Sequence, residues 1–239
     1  ASTLILDSTP GNKTFTAVIS TEGDNTGTLQ VKGANTYTIA NAVGANGDAL
    51  SSVTIADSSN ATFSSSVYAN SLTVGSGTTT FNANVTGALA LGSTGSTVAF
   101  GDGVTMTGAI TNSSGAATGT INASGDFTAT STIGDSGNGA ISTFNVGADN
   151  KVIAFNNDAY ITTFAFGGNA GSSLVLSDGK KLTGNITAGG SSKGIIDAST
   201  NSATVDGNIG GSGASVANIK IGTANAAKVF TASGDVYST

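Results

Sequence analysis

Residues able to do chemistry are few. The chain of 239 residues holds 14 acids and eight bases and has no histidine, cysteine or tryptophan. Every base is a lysine, and Glu22 is the single glutamate. A thiol or imidazole nucleophile, a His-oriented serine and a Cys/His metal centre cannot be built from this set. An acid–base couple needs two neighbouring carboxylates, yet the aspartates are scattered through turn phrases and no two acids are adjacent. Lys180-Lys181 is the one basic doublet, and both Lys180 and Asp178 read as turn residues. No enzyme is expected, and no catalytic residue is assigned.

Two other chemistries have candidate residues. Asp and Asn in Gly-rich turns can supply oxygen ligands to calcium, and Gly101-Asp102-Gly103 and Asn46-Gly47-Asp48 have that form. Asp102 is the position the sequence would offer first. The tandem Gly-Gly-x-Gly-x-Asp nonapeptide is missing, however, so turn formation accounts for both phrases and no metal or cofactor is expected. Thr-x-Thr pairs at Thr14/Thr16, Thr36/Thr38, Thr105/Thr107 and Thr128/Thr130 suggest a hydroxyl face that could order water or bind ice. Their intervals are uneven, so the β-propensity of threonine is the better account of them. Asn-x-Ser/Thr sequons at Asn12, Asn60, Asn84, Asn112, Asn122 and Asn185 are expected by chance in so Asn-, Ser- and Thr-rich a chain. Binding residues stay unassigned.

The elements that must position these residues follow from composition and alternation. Only 9% of residues are charged, the net charge is −6, and 35 are glycine against one proline, Pro10. The acidic balance and the absence of Arg exclude a nucleic-acid surface and disfavour anionic membranes. Leu, Ile, Val and Phe make up 52 residues, enough to fold but thin for a compact globule of this length. No apolar run approaches a transmembrane span. The amino terminus lacks the regions of a signal peptide, and Ala1-Ser2-Thr3 reads either as an end left by signal-peptidase cleavage or as an arbitrary boundary. Apolar residues alternate in short bursts such as Leu29-Val31, Val53-Ile55, Leu72-Val74, Val98-Phe100 and Leu174-Leu176, which predict strands of about four to six residues. No amphipathic helix is visible.

Two phrases recur. One brackets a Thr-Gly or Asp-Gly pair between apolar residues, in Val85-Thr-Gly-Ala-Leu89, Met106-Thr-Gly-Ala-Ile110, Leu182-Thr-Gly-Asn-Ile186 and Val205-Asp-Gly-Asn-Ile209. The other pairs two core residues and then turns, in Ser52 to Asp57, Thr97 to Asp102, Ser173 to Asp178 and Asn218 to Gly222. Their spacing predicts an all-β right-handed parallel β-helix of about 20 residues per coil and roughly 12 coils. An antiparallel β-sandwich is the alternative. Residues 1–26 are expected to form an amino-terminal hairpin or capping coil and 27–239 the repetitive solenoid. Phe144 to Phe166, rich in aromatics, is expected to be a packed corner or a protruding loop.

These phrases resemble the passenger regions of bacterial autotransporters. Gly33-Ala-Asn-Thr-Tyr-Thr38 looks like a phrase common in autotransporter-associated strand repeats. Leu182 to Thr187 and Val205 to Gly211 are similar to repeats in rickettsial outer-membrane surface antigens. The likeness extends over most of residues 27 to 230. It implies an exported passenger, or a piece of one, at the bacterial cell surface. Its expected roles are surface-layer or filament assembly through self-association, and adhesion to a host-cell receptor or neighbouring cell. An ice-binding or other ligand-binding solenoid is the alternative function.

Overall fold

A computed structural model describes residues 2–115, 117–137, 139–223 and 227–239; Ala1, the first residue of the end considered above, lies outside them. Among the described residues there are twenty-three strands, Thr3–Asp7 through Phe230–Ala232, and no helix. All the strand ladders are parallel, and antiparallel pairing is confined to the isolated bridges Ala45–Asp48 and Gly211–Ala214. The sandwich alternative is thereby set aside. The chain is a parallel β-solenoid of about 10 turns with ~23 residues per turn, so its coils are longer and fewer than the sequence spacing predicts. At the spacing of parallel strands, ten coils make a rod of roughly 50 Å. The extra residues lie in corner loops, so the register step is short from Val67 to Val85 and long from Ala203 to Phe230.

Each coil has three sides. Leu29, Val53, Leu72 and Leu89 stack on the first. Phe63, Phe81 and Phe100 stack on the second. Val43, Val67, Val85 and Met106 stack on the third. Side-chain alternation sends every second residue inward, as in Ser96–Phe100 with its strictly alternating burial. All these apolar residues are buried, and each such side chain contributes about 1.5–3 kcal/mol by leaving water. A column of rings runs along the axis: Phe63 stacks on Phe81 at 5.1 Å, Phe81 on Phe100 at 5.9 Å and Phe100 on Phe127 at 4.6 Å.

Phe144 to Phe166 continues that column and is not a protruding loop. Phe144 stacks on Phe164 at 5.3 Å, and Phe144, Phe155, Phe164 and Phe166 are all fully buried. At the other end, Thr3–Asp7 lies parallel on Thr26–Lys32 and Lys13–Phe15 on Thr36–Ile39. Residues 3 to 19 therefore make one further coil, with Ile19 pairing with Val43 on the third side.

The two recurrent phrases have distinct places. The Thr-Gly phrase turns corners: Val85 and Met106 pair on the third side, Leu89 and Ile110 on the first. Between them Gly87 and Gly108 adopt φ of +141° and +125°, and a Cβ on either would run into the carbonyl of the coil beneath. Only glycine tolerates both demands. Leu182 and Ile186 turn the next corner in the same way, around Gly184. The second phrase forms flat sides. It falls on the first side at Ser52, the second at Thr97 and the third at Ser173.

Candidate functional site

The acids and amides of the turns fasten coil to coil. Asp102 Oδ1 accepts the Asp126 amide at 2.7 Å, Asp126 Oδ1 accepts that of Val152 at 2.8 Å, and Asp178 Oδ1 accepts that of Ser202 at 2.7 Å. Asn60, Asn84 and Asn185 do the same for Thr78, Thr105 and Asn208. Asp102, the residue offered first for calcium, also pairs with Lys151 Nζ at 2.9 Å. That ammonium's hydrogen bond and, next, the Asp126 amide hold its carboxyl below the usual range. Asp178 is lowered first by the Ser202 amide and then by Lys228. Among the described residues no group of three or more acids is placed to hold a metal ion. Lys181 pairs with Asp206 at 3.7 Å, while the Lys180 amide closes the turn onto the Ser177 carbonyl.

The threonines form rows, though not those their pairing in sequence suggested. Thr14, Thr38, Thr62 and Thr80 stand one above another on the second side. Beside them Thr78, Thr97, Thr120, Thr143 and Thr163 make a second uninterrupted row. Thr105 and Thr128 stack separately on the third side.

The most distinctive surface feature was not singled out in the sequence: a tyrosine beside a Gly-led corner loop. Gly44, after Val43, has φ +67° and leaves no room for a Cβ because the Tyr68 carbonyl of the next coil lies against it. Its amide donates to the Ile19 carbonyl at 2.8 Å, and the Tyr68 amide donates to the Val43 carbonyl at 2.7 Å. Gly134 repeats this with Ile110 and Tyr160, and Gly210 with Ile186 and Tyr237. The loops beyond these glycines are closed on themselves, by Ala45 with Asp48, Asp135 with Gly139 and Gly211 with Ala214.

The copies at Tyr68 and Tyr160 border open grooves. The first, of about 580 Å³, lies along the corner from Tyr68 past Asn70, Thr86 and Thr107 to Ser131, under the Ala45–Gly47 loop. The second, of about 250 Å³, runs from Tyr160 past Thr162 and Thr183 to Asn185, under Asp135–Gly137. Both tyrosines are half-buried. No lysine and no aliphatic side chain larger than alanine lines either groove. Thr183 lines the second groove, but its hydroxyl is closed off from solvent and has no hydrogen-bond partner among the described residues.

No protein-family model, curated protein or solved structure matches the chain. Its function must be argued from this surface. The signal that would have found the grooves is a repeat longer than a coil. Val43-Gly-Ala-Asn-Gly-Asp-Ala-Leu50, Ile133-Gly-Asp-Ser-Gly-Asn-Gly-Ala-Ile141 and Ile209-Gly-Gly-Ser-Gly-Ala-Ser-Val216 align. Each is followed, one coil on, by a tyrosine: Tyr68, Tyr160 and Tyr237.

Proposed function

We infer that this chain is a non-enzymatic bacterial cell-surface solenoid, a passenger-type rod acting in surface-layer or filament assembly and in adhesion to host or neighbouring cells. The observation that carries the reading is the recurrence of a polar, aromatic-edged groove at two places along the rod. A recurring surface site on a rigid spacer suits attachment, because several weak contacts at fixed spacing add to a strong one. The low charge of the chain suits assembly, since little repulsion separates neighbouring rods. The test is titration of labelled chain onto host and bacterial cells, with negative-stain microscopy of the same preparation. Saturable binding supports adhesion and ordered fibres or sheets support assembly. Binding that rises linearly without saturation, from a chain that stays monomeric at high concentration, overturns the reading.

A second reading has its own observation. The paired rows led by Thr14 and Thr78 form a hydroxyl array at strand spacing on one side, the arrangement an ice- or water-ordering face requires. Thermal hysteresis lost in Thr97→Lys with Thr120→Lys supports it. Ice growth indistinguishable from a buffer control rules it out.

A further inference from the structure

The three Gly–Tyr copies do not sit on one side of the rod. Val43 and Val67 belong to the third side, Ile133 and Ala159 to the first, and Ile209 and Val236 to the second. Their leading residues, Ile19, Ile110 and Ile186, step round the coil in the same order. From the first copy to the second the chain makes four coils and one further side, and from the second to the third it makes three coils and one further side. The internal repeat therefore precesses by a third of a turn. The Tyr68 groove lies at the corner between the third and first sides, and the Tyr160 groove at the next corner round, between the first and second. They are separated by about 20 Å along the axis at the spacing of parallel strands.

The chemistry of the two grooves is shared and narrow. Each is lined by one half-buried tyrosine, a threonine of the following coil (Thr86 or Thr183), an amide (Asn70 or Asn185) and one carboxylate (Asp24 or Asp135). Each carboxylate already accepts backbone amides, Asp24 from Ala49 at 3.1 Å and Asp135 from Gly137 at 2.8 Å. They are thus fixed in place as acceptors. Neither tyrosine hydroxyl bonds to the described residues. An anionic ligand finds a carboxylate and no cation, and a lipid finds no aliphatic wall. A neutral polyhydroxylated ring is matched by a tyrosine face for its C–H surface and by hydroxyl, amide and carboxylate groups for its hydroxyls.

We propose that the Tyr68 and Tyr160 grooves are chemically similar binding sites for neutral saccharides, facing different directions so that one rod bridges two glycan chains. The proposal rests on the adhesive reading above and names its ligand class. The probes are malto-, cello-, chito- and mannohexaose titrated by calorimetry against the whole chain, with polygalacturonate as the anionic control. At least one hexasaccharide should bind with two sites per chain. Tyr68→Ala and Tyr160→Ala should each weaken one site about tenfold, as loss of ring stacking and its hydrogen bonds does. Beads coated with the bound sugar should agglutinate with the native chain and not with either tyrosine variant.

No binding to any hexasaccharide, binding to polygalacturonate alone, or affinity unchanged in the Tyr68→Ala/Tyr160→Ala double variant overturns the proposal. Thermal melting of each variant separates loss of a site from loss of the fold. Saturable cell binding that no hexasaccharide competes leaves adhesion standing and removes the saccharide. Hexasaccharide binding without cell binding does the reverse.

Discussion

Lys151 Nζ lies 2.9 Å from Asp102 Oδ1, across 49 residues of sequence. Between them sits Asp126, whose amide donates to Asp102 and whose own carboxylate accepts the amide of Val152. Two acids and then a lysine follow one another along the axis, and the lysine reaches back to the first acid. The pair pulls the carboxyl of Asp102 down and the ammonium of Lys151 up. A carboxylate whose folded pKa is depressed adds stability above its unfolded value, near 3.8, and loses it as pH falls through the folded one. Asp57 and Asp178 are lowered as well, Asp57 chiefly by the Ser93 hydroxyl. The melting temperature should be level at neutral pH and fall as acid is added below that value. Asp102→Asn with Asp178→Asn should flatten the fall. Circular-dichroism melts from neutral pH down into the acid range read both, and parallel curves for native and variant chains would contradict the assignment.

Phe100 is fully buried between Phe81 and Phe127. Phe100→Ala should cost about 3–5 kcal/mol, the usual penalty for a large core cavity. Thr73→Ala, exposed on the first side, should change stability by less than about 0.5 kcal/mol. Urea titration compares them. Equal midpoints would mean that the ring column is not what holds the middle coils.

Gly44 and Gly47 share a loop and a positive φ, of +67° and +89°, but only Gly44 is pressed against the next coil. Gly47→Ala should cost about 1 kcal/mol, for backbone strain alone. Gly44→Ala should cost more, about 2–4 kcal/mol, because the Tyr68 carbonyl must also move. The order of the two denaturation midpoints is the measurement, and its reversal would count against the described corner.

Thr120 and Thr143 face each other in register, and beside them Asn145 Nδ2 donates to Asn122 Oδ1 at 2.8 Å. Replacing both threonines by Asp should destabilise by more than the sum of the single changes. Thr120→Lys with Thr143→Asp should do better than that sum, the coupling being about 0.2–1 kcal/mol in each case. A double-mutant cycle at low salt reads the sign. Additive behaviour in both pairs would dissociate the low charge of the chain from its stacking.

The strands and their parallel stacking were legible because alternation and turn glycines are local signals, as at Val98-Phe100 and Gly101-Asp102-Gly103. The length of a coil was less so, because loops such as Ala45–Asp48 lengthen some turns and leave others short, as from Val67 to Val85. The Phe144 to Phe166 stretch looked irregular since Phe155 and Phe164 serve different sides of one core. The Tyr68 and Tyr160 grooves were hidden by scale. Ile19, Ile110 and Ile186 begin equivalent segments several coils apart, and a reading at the length of one coil cannot show a unit that closes only after several. The same precession placed identical phrases on different sides, which made their spacing wander.

The side chains that staple one coil to the next also fix how the rod responds to force. Asp102, Asp126, Asp149, Asp158 and Asp178 each hold a backbone amide on the following coil, so resistance to pulling is distributed in small steps. A chain drawn out by its termini should yield one coil at a time from the ends inward. With ~23 residues per turn at up to about 3.5 Å each, every step releases roughly 80 Å of length. Such a rod should give way gradually under load and rewind when the load drops, its middle, around the phenylalanine rings, opening last.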